Sequence, residues 1–419
     1  MNQLPEAFLT RMRRQLGAEF EAYMAAMAQP PRRGGRVNGL KLSPEALFAI
    51  RPEFVPVGNE QFLLPEGTAP GKDPLHCAGA YYIQELSAQM PVSLLDVEPG
   101  MAVLDLCAAP GGKSAQLGQA LQGQGLLVSN EIVPGRAQIL CGNLERMGIE
   151  NALITSMEPE ALCSSTGPVF DRVLVDAPCA GEGMFRKDPQ AAAEWSPEHV
   201  RSCARRQRSI LMSAQKALKP RGMLVYSTCS FSPEENEETV EWFLSACPDF
   251  TLEQCRTLYP HNSLGEGQFA ALLRRQGPLL PTLWRQEKSD SCPLYEAFAK
   301  DFLKPMHGPL RLLPDGRLLR LPPLPFALTG MRILRAGLLL GEIQRGRFIP
   351  AHALALAAER PFRHSPELSL EEALRYLHGE TLPADITGWC APSYEELPLG
   401  LAKGAGGILK NHLPKGLRM

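Results

Sequence analysis

From Met101 to Glu238 the chain alternates short apolar runs with longer segments of helical period, and this alternation limits the fold more than any other feature. Alternating strands and helices favour a parallel sheet with crossover helices. Two later runs, "DFTLEQ" and "QFAALLRR", would extend that sheet. We therefore predict an α/β fold with a doubly wound, mostly parallel sheet, whose five principal strands lie in "MAVLDLC", "GLLVSNEI", "NALITS", "DRVLVDAPC" and "GMLVYSTC".

Composition along the chain predicts four parts: an N-terminal accessory domain at 1–90, the α/β domain at 91–277, a connector at 278–305 and a C-terminal region at 306–419. In the C-terminal region, "LRLLPDGRLLRLP" indicates a hairpin. After Glu396 the chain has basic residues and no acidic one. This basic tail is typical either of a surface for RNA or of a solvated terminus.

Two helix starts carry strong signals. In "WSPEHVRSCARRQRSILMSAQKAL" Ser196 is predicted to cap a helix that has Pro197 in its first position. In "SPEENEETVEWFLSA" Ser232 is predicted as the cap, with Glu235 completing a capping box.

The bulk composition excludes several classes of protein. With 43 Lys and Arg against 45 Asp and Glu, the net charge is −2, so a nucleic-acid site would have to be a local patch. Eleven cysteines without a pattern of pairs, behind an N-terminus that reads as a charged amphipathic helix, favour reduced thiols in the cytoplasm. The most apolar long window, from Leu321, contains prolines and arginines and fails the criterion for a membrane span. We expect a soluble, cytoplasmic protein.

The segment "VLDLCAAPGGKSAQLGQAL" is predicted to be a strand, a turn of small residues and a helix. The first such turn of a doubly wound sheet is where the backbone approaches a nucleotide-like ligand, and Gly111 and Gly112 keep that approach free of side chains. The turn lacks both the dinucleotide and the P-loop spacing. Glu131, at the end of the next strand, is placed to accept the hydroxyls of a ribose. A nucleoside without a diphosphate fits best, and S-adenosylmethionine is the common cofactor of that kind; a structural turn with a surface acid is the alternative.

Two cysteines follow the ends of the fourth and fifth predicted strands. Asp176 and Cys179 come after one strand and Cys229 after the other, at the edge where open α/β sheets bind ligands. A lone cysteine there is more often a packed apolar residue than a nucleophile. Two thiols without a nearby histidine make a poor zinc site, and the chain has no C-x-x-C redox motif. The pair therefore favours nucleophilic chemistry.

A thiol and a methyl donor together suit one reaction. Carbon 5 of a pyrimidine becomes nucleophilic when a thiolate adds to carbon 6, and the methylated carbon must then lose its proton before the thiolate leaves. We expect Cys229 to attack, with Cys179 or a base that it positions removing the proton. Asp176 is suited to accept from the amino group of cytosine and to repel the carbonyl of uracil.

The motifs "DLCAAPGGK", "VDAPCAGEGMFRKDP" and "YSTCSFSPEENE" resemble those of the Sun family of RNA cytosine-5 methyltransferases, in particular its bacterial RsmF-like branch. "DPLHCAGAYYIQELSAQMP", "RVNGLKLS" and "PLGLAKGAGGILKNHLPKGLR" resemble the same branch, so the likeness covers nearly the whole chain. It implies a Rossmann-like, S-adenosylmethionine-dependent methyltransferase domain at 91–277, an RNA-binding N-terminal domain, and a PUA-like RNA-binding module in the C-terminal region.

The resemblance also implies roles for individual residues. Cys229 would be the nucleophile and Cys179 would serve product release, while Glu131 would hold the ribose of the methyl donor, Asp176 a further part of it, and Glu158 its adenine side. The donor would lie along the turn formed by Cys107, Ala108, Ala109, Pro110, Gly111, Gly112 and Lys113.

Members of this branch modify 16S ribosomal RNA of the small subunit, which makes this RNA the expected partner. Two alternatives remain open: the same chemistry on transfer RNA, and a non-catalytic, RNA-binding assembly factor that retains the cofactor fold. RNA binding alone would require neither of the two cysteines.

Overall fold

A computed structural model describes residues 4–419 of the chain. The N-terminal part begins with a helical hairpin, whose apolar side packs against loops of the central domain, and continues into an antiparallel sheet of strand order β2-β3-β1-β4. Its elements are α1 (Glu6–Leu16), α2 (Phe20–Met27), β1 (Gly34–Val37), α3 (Pro44–Ile50), β2 (Val55–Pro56), β3 (Gln61–Leu63), α4 (Pro74–Cys77) and β4 (Tyr81–Ile83).

The central domain contains the predicted strands and crossover helices, and its doubly wound sheet confirms the predicted fold class. Its five principal strands are parallel, and β10 and β11 extend the sheet as predicted; the structure shows that both of them pair antiparallel. The elements are α5 (Met90–Leu94), β5 (Ala102–Asp105), α6 (Gly112–Ala120), β6 (Leu126–Asn130), α7 (Pro134–Arg146), β7 (Ala152–Thr155), α8 (Pro159–Thr166), β8 (Phe170–Asp176), α9 (Pro189–Glu194), α10 (Pro197–Ala217), β9 (Leu218–Thr228), α11 (Glu237–Ala246), β10 (Phe250–Leu258) and β11 (Gln268–Arg275).

The C-terminal part is α+β and includes the predicted hairpin, formed by β12 and β13. Its elements are α12 (Pro293–Phe302), β12 (Leu310–Leu312), β13 (Arg317–Arg320), β14 (Ile333–Ala336), β15 (Leu338–Gln344), β16 (Arg347–Pro350), α13 (His352–Leu356), α14 (Leu370–Leu377), β17 (Leu382–Pro383), β18 (Gly388–Cys390), β19 (Ser393–Tyr394), β20 (Leu397–Pro398), β21 (Ala402–Ala405) and β22 (Ile408–Asn411).

The three parts are packed together by shared elements. Strand β14 leaves the C-terminal part and pairs with β7, so that the large sheet has the order β10-β11-β9-β8-β5-β6-β7-β14. The N-terminal sheet and the last C-terminal sheets bury their apolar faces in one core, in which Phe62 and Tyr81 lie together with Tyr376 and Leu409. Apolar residues from both sides of residue 277 therefore share a core. No helix within residues 4–419 is long and apolar enough to span a membrane.

The two predicted helix starts have different outcomes. Ser196 caps α10 by accepting the backbone N–H of His199 at 3.1 Å, as predicted. The predicted capping box at Ser232 is wrong, because α11 begins only at Glu237 and its cap makes no side-chain hydrogen bond. Ser232 and Glu235 are fully buried and bind the loop of the other strand end instead, so neither side chain is free to cap a helix.

Candidate active site

The two cysteines meet at the edge of the sheet where parallel strands β8 and β9 end side by side. Asp176 and Ser227 are partners in the register of these strands, so the chain after each of them emerges at the same point. The Sγ atoms of Cys179 and Cys229 lie 3.2 Å apart. The sheet topology thus brings together the two thiols that are fifty residues apart in sequence.

The thiol of Cys179 is held in its neutral form. Its hydrogen bond with Cys229 raises its pKa well above the ordinary value, and burial and the charges of Cys229 and Glu235 act in the same direction. A neutral Cys179 can donate its S–H to the sulfur of Cys229. Because the thiolate is the nucleophilic form, Cys179 is poorly suited to attack and better suited to a supporting role.

A partly buried ion pair lies beside the thiols. The Nζ of Lys113 donates to Asp176 Oδ2 at 2.8 Å, while Ser227 Oγ and Gln268 Nε2 donate to Oδ1 at 2.7 and 3.1 Å. Burial lowers the pKa of Lys113, but Asp176 and the charge of Cys229 raise it above the ordinary value overall. The Lys113 ammonium group therefore lies close enough to interact with charge on the Cys229 side chain.

A cavity of about 530 Å³ opens at this edge of the sheet. It is lined by predicted cofactor residues that follow the ends of four strands. Glu131 is almost fully buried; it accepts the N–H of Val133 at 3.0 Å and lies 3.3 Å from the guanidinium of Arg136. An ionised carboxylate has about four acceptor positions, so two remain for the hydroxyls of a ribose. The predicted site residues that line the cavity are Cys107, Ala109, Glu131, Glu158, Asp176, Cys179 and Cys229.

The remaining predicted residues of the turn support the cavity from behind. Gly111 has a φ of +115°, a conformation that glycine tolerates, and a Cβ atom there would lie 3.0 Å from Leu140 Cδ1. A Cβ on Gly112 would approach Tyr82 and Gln84 within 3.2 Å. The two glycines therefore permit close packing against the protein itself, in addition to the ligand approach that the sequence predicts. Ala108 is buried, and the carbonyl of Pro110 accepts from Asn143 at 2.8 Å.

The cavity also has features that the sequence analysis missed. Ile132 and Val133 are exposed apolar residues on its wall, with 46% and 45% of their surface accessible, and Ile210 of α10 is a further apolar part of the lining. Such a wall suits the flat ring of a nucleobase, and a signal existed in the apolar "IV" pair directly after Glu131. Within residues 4–419, no group of three or more potential ligands is arranged to hold a metal ion.

Four protein-family models match the chain and together follow its length. They are described as N-terminal domain of 16S rRNA methyltransferase RsmF (4–86), 16S rRNA methyltransferase RsmB/F (92–278), RsmF rRNA methyltransferase first C-terminal domain (297–357) and Methyltransferase RsmF PUA domain (363–419).

Curated relatives match over nearly the full length. Ribosomal RNA small subunit methyltransferase F from Cronobacter sakazakii is 33% identical over 466 residues, which cover 99% of this chain and 96% of the relative. The protein of that name from Serratia proteamaculans is 32% identical over 460 residues, with the same coverage.

Solved structures match the fold. A methyltransferase homolog protein from Pyrococcus horikoshii is 30% identical, with a TM-score of 0.58, and the match covers 65% of this chain and 95% of that one. NSun6 from Pyrococcus horikoshii, solved with the S-adenosylmethionine analogue SFG, has a TM-score of 0.59 and covers 66% of this chain and 100% of its own; at 20% identity it supports the fold alone.

The sheet, the glycine turn and the cavity define a Rossmann-like methyltransferase that uses S-adenosylmethionine. The predicted fold and cofactor are thereby confirmed. The chain belongs to the 16S ribosomal RNA methyltransferase family RsmB/F, as a member of its RsmF-like branch, and this confirms the predicted resemblance.

Proposed function

We propose that this protein methylates carbon 5 of cytosine in 16S ribosomal RNA through a covalent bond between Cys229 and the base. The observation that supports this most directly is the 3.2 Å distance between the Cys179 and Cys229 sulfur atoms on the wall of the cofactor cavity. Neither cofactor binding nor RNA binding alone requires two adjacent thiols. Covalent catalysis at a pyrimidine does, because one group must attack carbon 6 and another must assist removal of the proton from carbon 5.

Each residue has a defined task in this reaction. The Cys229 sulfur forms a bond to carbon 6, and the electron pair of the 5,6 double bond moves to carbon 5. The residues of the cavity would hold S-adenosylmethionine, which would supply the methyl group that carbon 5 accepts, with a neutral thioether as the leaving group. A base that Cys179 positions, or Cys179 itself after it has lost its own proton to solvent, then takes the proton from carbon 5 and later passes it to solvent. The 5,6 double bond re-forms as the Cys229 thiolate is expelled, so the enzyme is regenerated.

Asp176 and Lys113 would select the base and activate the thiol. The Asp176 carboxylate accepts from the amino group of cytosine, and it would repel the carbonyl that uracil presents at the same place. Asp176 is already held by Lys113, Ser227 and Gln268, so its orientation is fixed before the base arrives. Lys113 keeps a positive charge near Cys229, which favours the thiolate.

The RNA assignment depends on the flanking domains. The relatives are named as ribosomal RNA small subunit methyltransferases, and the last residues match an RsmF PUA domain model. The predicted basic tail contributes the exposed Lys403, Lys410 and Lys415 to that domain. A local basic patch of this kind suits contact with RNA phosphates in a protein with almost no net charge. We place the reaction in the cytoplasm, where ribosomal subunits of bacteria are assembled.

The first test separates the two cysteines. Cys229→Ala should abolish methylation and the covalent complex with RNA, while Cys179→Ala should let the covalent complex accumulate because release is blocked. Cys255→Ala, at an exposed cysteine of β10, is the matched control and should behave like the unchanged protein. Denaturing gels detect the adduct, and bisulfite sequencing of total RNA with and without the gene detects the product.

The same experiment separates the alternatives. If the cytosines that resist bisulfite only when the gene is present lie in transfer RNA and not in 16S RNA, the substrate is transfer RNA. A protein that binds RNA but not S-adenosylmethionine in isothermal titration would be an assembly factor. Full methylation by Cys229→Ala would contradict the covalent mechanism.

A further inference from the structure

Each cysteine loop carries one buried glutamate. Glu182 lies three residues after Cys179, and Glu235 lies six residues after Cys229. Their side chains are 1% and 0% exposed, and the reaction described above uses neither of them. Buried carboxylates are retained only where donors compensate the loss of water, so the identity of those donors is informative.

Glu182 stands on the Cys179 loop and holds the Cys229 loop. Its Oε2 accepts the backbone N–H of Phe231 at 2.6 Å, and its Oε1 accepts the hydroxyl of Ser232 at 2.5 Å. Trp195 Nε1 donates to the same Oε1 at 2.7 Å. Each oxygen of Glu182 therefore accepts from an N–H group that has no acceptor form, the backbone N–H of Phe231 or the indole N–H of Trp195.

Glu235 makes the reciprocal contacts. It stands on the Cys229 side, and its carboxylate accepts the backbone N–H of Ala180, the residue directly after Cys179, at 3.0 Å. Gln207 of α10 donates to it at 2.7 Å. The two glutamates therefore cross the gap between the loops in opposite directions.

Ser230, directly after Cys229, joins the two carboxylates. Its Oγ lies 3.1 Å from Glu182 Oε2 and 2.8 Å from Glu235 Oε1. A serine hydroxyl has one hydrogen and can donate to only one of them, so the other contact is favourable only when that carboxyl group brings a proton of its own. Glu182 accepts an N–H on each of its two oxygens, whereas the shortest N–H contacts of Glu235 both fall on Oε2, so Oε1 of Glu235 is the oxygen that can carry the proton. Burial raises the pKa of Glu235 to about 7, in agreement with this assignment.

We propose that Glu182 and Glu235 are positioning residues for cytosine methylation, which clamp the Cys179 and Cys229 loops and set the separation of the two thiols. This inference rests on the proposed function, because both thiols must reach adjacent carbons of one pyrimidine ring. A displacement of about 1 Å in a reacting group can reduce the rate roughly 100-fold. The proton assignment further requires Glu182 to act as an anion and Glu235 as a neutral acid.

The test uses the same substitution at both positions. In Glu235→Gln the amide can donate to Ser230 and accept from Ala180, as the protonated acid does, so we expect kcat within roughly threefold of the unchanged protein. In Glu182→Gln the amide NH₂ must face either Phe231 N–H or Trp195 Nε1–H, and we expect kcat to fall roughly 100-fold. KM for S-adenosylmethionine should be unchanged in both variants, because neither residue lines the cofactor cavity. General loss of structure would raise KM as well.

Two further variants make the result decisive. Glu238→Gln, the same change at an exposed position of α11, should leave kcat unchanged. Glu235→Ala, which cannot replace any of the contacts, should lose as much kcat as Glu182→Gln. Full activity of Glu182→Gln, or equal loss in both glutamine variants, would overturn the inference. If the unchanged protein forms no 5-methylcytosine, the proposed function itself fails, and the two outcomes cannot be confused.

Discussion

Two of the clusters of buried titratable side chains in this molecule differ in their partners. The carboxyl groups of Glu182 and Glu235 are satisfied by N–H and hydroxyl donors of two loops within the central domain. The ammonium group of Lys41, in the N-terminal domain, is satisfied by backbone carbonyls: it donates to Ala78 O at 2.7 Å and to Arg146 O at 2.9 Å. The first cluster connects segments that carry chemistry, whereas the second connects domains.

The lysine cluster joins all three parts of the chain. Arg146 ends α7 of the central domain, and Arg360 of the C-terminal part donates to the carbonyl of Lys41. Burial, and next the charge of Arg146, lower the pKa of Lys41 to about 7. The pKa of Glu235 is thus raised and the pKa of Lys41 is lowered, both to about 7. In each case burial disfavours the charged form, which is the ionised acid for Glu235 and the protonated base for Lys41.

The largest expected effect is a pH dependence of stability caused by Glu235. Its pKa is 4.5 in the unfolded chain and about 7 in the folded one, so the folded state holds an extra proton between these values. Its contribution to stability is complete below pH 4.5 and is lost as the pH rises to 7, a loss of roughly 3 kcal/mol. Urea unfolding at pH 5 and pH 8 should show this loss in the unchanged protein and not in Glu235→Gln.

Glu238→Gln serves again as the control, because it makes the same change at an exposed position and leaves Glu235 in place, and its curves should parallel those of the unchanged protein. If Glu235→Gln showed the same pH dependence as the unchanged protein, Glu235 would not be the group that binds the extra proton in the folded state. The contrast between a buried acid with a raised pKa and a buried base with a lowered pKa would then fail.

The second effect concerns Lys41→Met, which leaves the carbonyls of Ala78 and Arg146 without their buried donor. We expect the free energy of unfolding at pH 7 to fall by about 2 kcal/mol, the usual cost of unsatisfied buried polar groups. The folded pKa of Lys41 is depressed, so the unchanged protein gains stability as the pH rises from 7 toward 10.5, and the variant should lack this gain. Single-turnover methylation should be unchanged, in contrast to Glu182→Gln.

Lys72→Met, at an exposed lysine of the same domain, is the control and should alter neither stability nor rate. A drop in methylation rate that exceeds the loss of stability would show that the domain junction also acts on the chemistry.

Four similar segments show how far sequence alone could reach. The letters "SPE" begin at Ser43, Ser196, Ser232 and Ser365, and the first two of these serines cap helices as the local signal predicts, whereas the hydroxyl of Ser365 donates to the carbonyl of Ala391. Ser232 does not cap a helix, because its hydroxyl is bound by Glu182, which lies fifty residues away in sequence. A cap is a local interaction that competes with tertiary partners, and only the fold reveals those partners.

The same distinction applies to the site. Strand ends, the glycine turn and both cysteines could be predicted, because parallel strands bring their carboxyl ends to one edge. The sequence also has an acidic run after Cys229, and by sequence position alone those charges would oppose a thiolate there. In the structure Glu234 is paired with Arg11 of α1, and Lys113 lies near the thiol. The strand β14 was missed for a related reason: its partner β7 precedes it by almost two hundred residues, and short apolar runs carry no information about distant pairing.

The smallest expected effect tests whether the N-terminal hairpin supports the clamp from outside. Arg11 binds Glu234 through two hydrogen bonds of 2.8 and 3.0 Å, at side chains that are 15% and 27% exposed, and it also donates to Ser232. Partly exposed pairs contribute about 1 kcal/mol or less. Arg11→Ala should therefore lower the free energy of unfolding by at most about 1 kcal/mol and kcat by no more than roughly threefold. Glu182 and Glu235 would still hold the loops from within.

Arg14→Ala, one turn further along α1 at an exposed position, should have no effect on either quantity. If Arg11→Ala instead reduced kcat as strongly as Glu182→Gln, the thiols would depend on the N-terminal hairpin as much as on the buried glutamates. A contact between domains would then set the geometry of the cysteines. In that case the buried glutamates that position the thiols could no longer be distinguished from contacts that only hold the domains together.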